Sequence, residues 1–208
     1  NSADAIRTML QGKSIEKGNI DIQMDKAART ITFKDNGSGM APEILGTKFL
    51  EIAGTGKEAA NNAGGFGIAK MLFLYSNKEI HVISMRNGKV SEMKTTGEEL
   101  KQALADPEAA PTIEVRAPTE IDKQTFPDGH VTVIKVKVPD SYKDPSTGLE
   151  KEIAFDEVNS YSRPFPLKYS ALLAPIEVNL NGQPVNNVGT RFDAERYQQF
   201  VSVKFDWG

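Results

Sequence analysis

The feature that most constrains this chain is a set of short alternating runs closed by tight turns. Ile20, Ile22 and Met24 alternate with Asp21, Gln23 and Asp25; Ile31 and Phe33 sit between Thr30, Thr32 and Lys34. A period of two puts one face of each segment against a core and the other against water. The pair reads as a hairpin turning around Lys26-Ala27-Ala28. Asn87-Gly88 marks a second hairpin, between Ile80–Ile83 and Val90–Thr95, and Asn181-Gly182 a third, between Ile176–Leu180 and Gln183–Val185. Ile113 to Arg116 adds a strand, and Val131 to Val138 is the longest β-branched run.

Helical signals interrupt these strands. Ala3, Ile6, Met9 and Leu10 fall on one stripe that Gly12 ends. Another helix begins at Ala41-Pro42-Glu43, with proline where its missing N–H would have had no partner. Met71 to Tyr75 reads as a buried helix, residues 97–105 as a short amphipathic one, and Phe155 to Tyr161 as a helix start that stops before Pro164. Lys143 to Glu150 is a turn-rich insertion. Together these predict an α+β fold: a mixed or antiparallel sheet with helices gathered on one face.

Composition narrows the function classes. A length of 208 residues means one generous domain or two small ones. Twenty-five basic against 28 acidic residues, net −3, give no phosphate-backbone footprint, which argues against nucleic-acid binding by bulk charge. With no cysteine there is no disulfide, thiolate metal site or thiol nucleophile, which fits a cytoplasmic location. No apolar run is long enough to span a bilayer and no signal peptide is visible. The chain opens at Asn1 already in helical pattern, as a piece beginning inside a fold would.

Three elements carry the chemistry, in order: a polar helix, an Asp-x-Gly-x-Gly loop, and a glycine cluster that opens a helix. Asp35-Asn36-Gly37-Ser38-Gly39 reads either as a strand-end turn or as a pocket in which Asp35 accepts a hydrogen bond from an exocyclic amine. In the second reading the glycines let the backbone approach a flat base. Gly64-Gly65-Phe66-Gly67 reads either as a flexible connector or as an anion site, its N–H groups and helix dipole meeting phosphate oxygens. The Gly- and Asn-rich segment before it would be a lid. Two better-known phosphate motifs fail. Gly54-Thr55-Gly56-Lys57 is followed by Glu58 rather than Ser or Thr, and Gly65-Phe66-Gly67 has Lys70 where a dinucleotide fingerprint needs its third glycine.

Taken together, Asn1-Ser2-Ala3-Asp4-Ala5, Asp35-Asn36-Gly37-Ser38-Gly39-Met40 and Gly64-Gly65-Phe66-Gly67-Ile68-Ala69 resemble the three ordered boxes of the GHKL ATPases. That superfamily holds gyrase B subunits, ninety-kilodalton heat-shock chaperones, MutL proteins and histidine-kinase catalytic domains. The glycine box is also similar to that of ATPase-like proteins of bacteriophages. The resemblance implies a two-layer sandwich of Bergerat type over residues 1–140, with 141–208 a C-terminal extension whose helix-then-hairpin order fits the start of a transducer-like domain.

By position, the resemblance implies that Asn1 binds a magnesium ion bridging the phosphates and that Asp4 lines the nucleotide pocket. Asp35 would read the adenine amine, with Gly37, Gly39 and Met40 forming the floor under the base. Lys57 would sit in the lid, and the backbone of Gly64, Gly65, Phe66, Gly67, Ile68 and Ala69 would wrap the phosphates. The family's late Gly-Thr element appears only as Gly129-His130-Val131-Thr132-Val133, where Thr132 is the residue expected to reach the base. His81 and His130 read as strand-surface residues. The implied ligands are ATP or ADP with Mg2+, and the implied partner is a nucleotide-dependent homodimer or another protein. Hydrolytic relatives place a general-base glutamate four residues before the helix asparagine, a position that precedes Asn1. The implied function is therefore a Mg-dependent ATP-binding domain of an ATPase in which lid closure drives rearrangement. The alternatives are a non-hydrolysing nucleotide-gated module or a histidine-kinase catalytic domain.

Overall fold

A computed structural model describes residues 2–46, 74–153, 155 and 176–184 of the chain. Among the described residues, ten strands and four α-helices form in this order: α1 (Ser2–Gln11), β1 (Asn19–Asp25), β2 (Thr30–Asp35), α2 (Pro42–Gly46), β3 (Glu79–Arg86), β4 (Lys89–Thr95), α3 (Gly97–Ala105), β5 (Ile113–Arg116), α4 (Glu120–Thr125), β6 (Val131–Lys137), β7 (Ser141–Lys143), β8 (Glu150–Glu152), β9 (Glu177–Leu180) and β10 (Gln183–Pro184). Eight strands make one sheet in the order β10-β9-β1-β2-β6-β3-β4-β5, and β7 pairs with β8 in a separate hairpin.

The expected hairpins form. β1 and β2 run antiparallel with Ile22 opposite Phe33. β3 and β4 turn on Asn87 (φ 51°) and Gly88 (φ 70°), the left-handed pair that lets strands keep their natural twist. Asn181 (φ 48°) and Gly182 (φ 78°) do the same between β9 and β10. Beyond the expectations, β6 crosses into the middle of the sheet between β2 and β3, antiparallel to both. β9 lies parallel to β1, with Val178 opposite Ile20, so the sheet is mixed and includes residues from both sides of position 140.

Alternation decides the two faces. Ile31, Ile80, Val82, Met93 and Val136 point to the inner face, where Leu45 of α2 and Leu100 of α3 complete a buried core with Leu74 and Phe155. α1 is held by Ile6, which is fully buried. A Cβ on Gly18 would come within 2.3 Å of Ile6 and 3.1 Å of Ile176, so the chain after α1 passes flat between them. α3 opens on a capping box, Thr96 and Glu99 each bonding the other's backbone N–H. The outer face is mostly charged. At one end Met85, Val90 and Val131 form a small second cluster there, partly covered by Phe126 at the end of α4.

Two segments differ from the sequence pattern. α4 was not anticipated, although Thr119 and Asp122 carry the spacing of a capping box and form one. The turn-rich insertion is the tip of the β7–β8 hairpin, where the Asp144 carboxylate accepts from the Ser146 N–H at 2.8 Å and pairs with Lys151. The expected helices over Met71–Tyr75 and Phe155–Tyr161 fall largely outside the described residues.

Candidate functional site

The inner face of the sheet is apolar along most of its length and turns polar at one end. There, register sets Asp35 of β2 opposite Thr132 of β6, Thr132 opposite Ser84 of β3, and Ser84 opposite Ser91 of β4. One row of side chains thus runs carboxylate, hydroxyl, hydroxyl, hydroxyl across four strands. Asp35, Ser84 and Ser91 are buried and Thr132 half-buried. Among the described residues the Ser91 hydroxyl has no hydrogen-bond partner, a rare condition for a buried polar atom.

The loop leaving β2 is pressed onto this row. The Gly37 N–H donates back to Asp35 Oδ1 at 3.0 Å, an Asx-type turn. A side chain at Gly37 would bring Cβ within 2.7 Å of Ala5 Cβ on α1, so only glycine fits beneath that helix. Gly39 has φ 63°, and a Cβ there would lie 2.1 Å from the Met85 carbonyl oxygen. Both positive φ and close approach require glycine. The Met40 N–H donates to Ser84 Oγ at 2.7 Å, and that hydroxyl donates onward to the Val131 carbonyl at 3.0 Å. Asn36 ties the loop's outer side to β1, accepting from the Asn19 N–H at 2.7 Å and donating to the Lys17 carbonyl at 2.8 Å. On the other flank, His130 Nδ1 lies 2.8 Å from the Gly37 carbonyl.

Burial dominates the electrostatics of Asp35. Desolvation pushes its carboxyl above the ordinary aspartate value, and hydrogen bonds from the Ser2 hydroxyl and the Gly37 N–H offset part of that rise. No lysine or arginine pairs with it among the described residues. A carboxylate that is buried, aimed by two donors and paired with no basic side chain among the described residues is available to accept from a ligand.

Several expected residues come together here. Asp35, Gly37, Gly39, Met40 and Thr132 surround one end of the sheet, 97 residues of chain apart at the extremes (132 minus 35). Met40 is half-buried and packs against the main core. Asp4 is buried, and Arg7 one turn on lies 3.3 Å from its Oδ1. Asn1, Lys57 and the run Gly64, Gly65, Phe66, Gly67, Ile68, Ala69 lie outside the described residues.

The histidines are half-buried rather than bare strand-surface residues. His81 Nε2 pairs with Glu92 Oε1 at 2.7 Å on the outer face, and His130 joins the loop as described. Ser2, Ser84 and His130 had no sequence signal, because each reaches the loop only through pairing of distant strands or packing of α1. A groove of about 420 Å³ opens at the opposite strand ends, lined by Thr30, His81, Lys94, Thr96, Lys135 and Lys137 among others. Its distance from Asp35 and its mixed charge separate it from this site.

Comparison with known proteins bears on family and fold. Residues 1–126 match the family model described as histidine kinase-, DNA gyrase B- and HSP90-like ATPase. Among solved structures, the ATPase and transducer domains of DNA topoisomerase II from Balamuthia mandrillaris share 15% identity at a TM-score of 0.57, over 88% of this chain and 45% of that one. The ATPase region of Saccharomyces cerevisiae topoisomerase II bound to ICRF-187 gives 15% and 0.57, over 88% and 46%. A second structure of that yeast region gives 14% and 0.55, over the same shares. At such identity these structures speak for the fold alone, and the chain spans less than half of their length. No curated protein matches the sequence. The family match covers well over half of the chain, and the fold is the two-layer α+β sandwich of those relatives. The chain belongs to the histidine kinase-, DNA gyrase B- and HSP90-like ATPase family, with the ATP-binding character that membership implies.

Proposed function

We propose that this chain binds Mg-ATP at the polar end of its sheet and forms the nucleotide-binding part of an ATPase. In it, closure of the segment around Lys57 over the ligand is coupled to rearrangement of a dimer or protein partner. The observation that carries the proposal is Asp35: buried, aimed by Ser2 and Gly37, and with no lysine or arginine paired to it among the described residues. Such a carboxylate accepts from an exocyclic amine, while Gly37 and Gly39 keep the neighbouring backbone close to a flat base. Thr132, beside Asp35 in the register, offers a hydroxyl to the same base edge.

The remaining roles follow the resemblance. The N–H groups from Gly64 to Ala69 would meet the phosphates, Lys57 would approach them from the lid, and Asp4 would line the pocket near the metal. No group of three acidic or histidine side chains that could hold a metal gathers among the described residues. By the resemblance, a cation here would take phosphate oxygens, waters and the Asn1 amide oxygen, a set of hard donors that suits magnesium. Magnesium would supply charge neutralisation between the phosphates. No helix among the described residues is long and apolar enough to cross a membrane. A cytoplasmic location is proposed separately, and a sequence without cysteine fits it.

Calorimetric titration of ADP and of a non-hydrolysable ATP analogue, with and without magnesium, tests this. Wild type should bind both, and Asp35→Asn should weaken binding by about 10- to 100-fold, the worth of a hydrogen bond to a charged group. Equal affinity in wild type and Asp35→Asn would remove Asp35 from base recognition.

A further inference from the structure

Gly37 is held on both sides of its Cα. Its N–H donates to Asp35 Oδ1 at 3.0 Å, and its carbonyl lies 2.8 Å from His130 Nδ1. A carbonyl oxygen only accepts, so Nδ1 must carry the proton, and His130 is the donor. The imidazole comes from a different part of the chain. The turn at Gly129 (φ 72°), closed by its N–H on the Phe126 carbonyl, delivers His130 to the start of β6, and β6 pairs with β2.

We infer that His130 is a positioning residue for base recognition: it fixes the Gly37 carbonyl and, across the Gly37 Cα, steadies the N–H that aims the Asp35 carboxylate. This rests on the nucleotide site proposed above and assigns within it the group that sets selectivity. Gly37 has no side chain to restrict its rotation, and the space beneath Ala5 admits none. The two peptide planes that meet at its Cα are therefore oriented by these two hydrogen bonds, one to each. Removing the His130 donor frees the 37–38 plane to turn towards water, and with no side chain at Gly37 the preceding plane, which carries the N–H, is held less firmly. Asp35 then keeps Ser2 as its aiming donor while its second donor loosens. What suffers is the match between the carboxylate and an exocyclic amine. Contacts made by the rest of the ligand do not pass through Gly37.

The test compares ADP with inosine diphosphate, which lacks the exocyclic amine, both with magnesium. Wild type should prefer ADP. His130→Ala should lose about fivefold in ADP affinity, the worth of one hydrogen bond, and less than about twofold for inosine diphosphate. The selectivity ratio thus shrinks, whereas a merely structural role would weaken both ligands alike. His130→Asn, whose amide nitrogen stands where Nδ1 does, should restore the ratio. His130→Asp, which sets an acceptor against the carbonyl, should lower it at least as far as alanine. If His130→Ala does not fold, the asparagine–aspartate pair carries the same contrast. An unchanged ratio in the alanine or aspartate variant, or an asparagine variant that behaves like alanine, overturns the inference. Failure of wild type to bind either nucleotide overturns instead the nucleotide site itself.

Discussion

The two faces of the sheet treat carboxylates in opposite ways. On the outer face, Glu92 sits between Lys94 at 2.9 Å and His81 at 2.7 Å, and these bonds hold its carboxyl below the ordinary glutamate value. Asp122 receives Arg116 and the Thr119 hydroxyl and N–H, and it too is strongly depressed. Glu177 has Lys17. On the inner face Asp35 has neutral donors and no basic side chain, and its carboxyl is raised. The first group of charges is satisfied within the fold and serves architecture. The last is held ready, at a cost in stability, for something the fold does not supply.

That contrast can be broken at several points. The largest loss of stability should come from Gly39→Ala, which combines a left-handed backbone with a Cβ 2.1 Å from the Met85 carbonyl. A destabilisation of about 2–4 kcal/mol is expected in a denaturant melt, with loss of nucleotide binding as the loop is pushed off the sheet.

Asp122→Ala comes next, at about 2 kcal/mol, because it removes a helix cap and a charge-assisted pair from a side chain that is mostly buried. The sign of its pH dependence is fixed. Asp122 titrates lower in the fold than in the unfolded chain, so its contribution is present above pH 3.8 and is lost as pH falls through the folded value. Wild type and Asp122→Ala should therefore converge in stability under strong acid.

Asp35→Asn should act the other way on stability, and by less. A raised folded value means that the contribution of Asp35 is complete below pH 3.8 and is lost as pH rises through the folded value. The asparagine variant cannot ionise. It should melt at or above the wild-type temperature at pH 7 and lose that advantage on acidification, even as it loses affinity for ADP. A lower melting temperature at pH 7 would mean that Asp35 serves architecture like the outer-face carboxylates. The smallest effect belongs to Lys101→Ala, which removes an exposed pair with Glu98 on α3 and should change stability by less than about 0.5 kcal/mol.

What the sequence made legible was local. Asn87-Gly88 and Asn181-Gly182 located two hairpins because turn geometry restricts which residues can occupy it. Asp35-x-Gly37-x-Gly39 located the loop because a carboxylate and two glycines at that spacing have few other uses. The burial of Asp4 was hidden because hydropathy assigns a lone carboxylate to solvent, and nothing nearby in sequence reveals what covers it. Ser84 and His130 were hidden for a related reason. Each looks like an ordinary strand residue until β3 and β6 are paired beside β2. The parallel pairing of β9 with β1 left no trace either, since a four-residue strand carries no address for its partner.

That last pairing has a consequence for how the protein is made. β1 follows the first helix, yet its outer neighbour is contributed by residues 177–180, and Ile176 seals the space beside Gly18 and Ile6. During synthesis the first hairpin therefore waits, with an unpaired strand and an unfilled apolar contact, while more than a hundred further residues emerge. A nascent chain halted near residue 140 presents that bare strand to its neighbours, the condition under which β-proteins pair with the wrong partner. Ribosome-bound chains of increasing length should lose their tendency to aggregate only once Leu180 has cleared the exit tunnel.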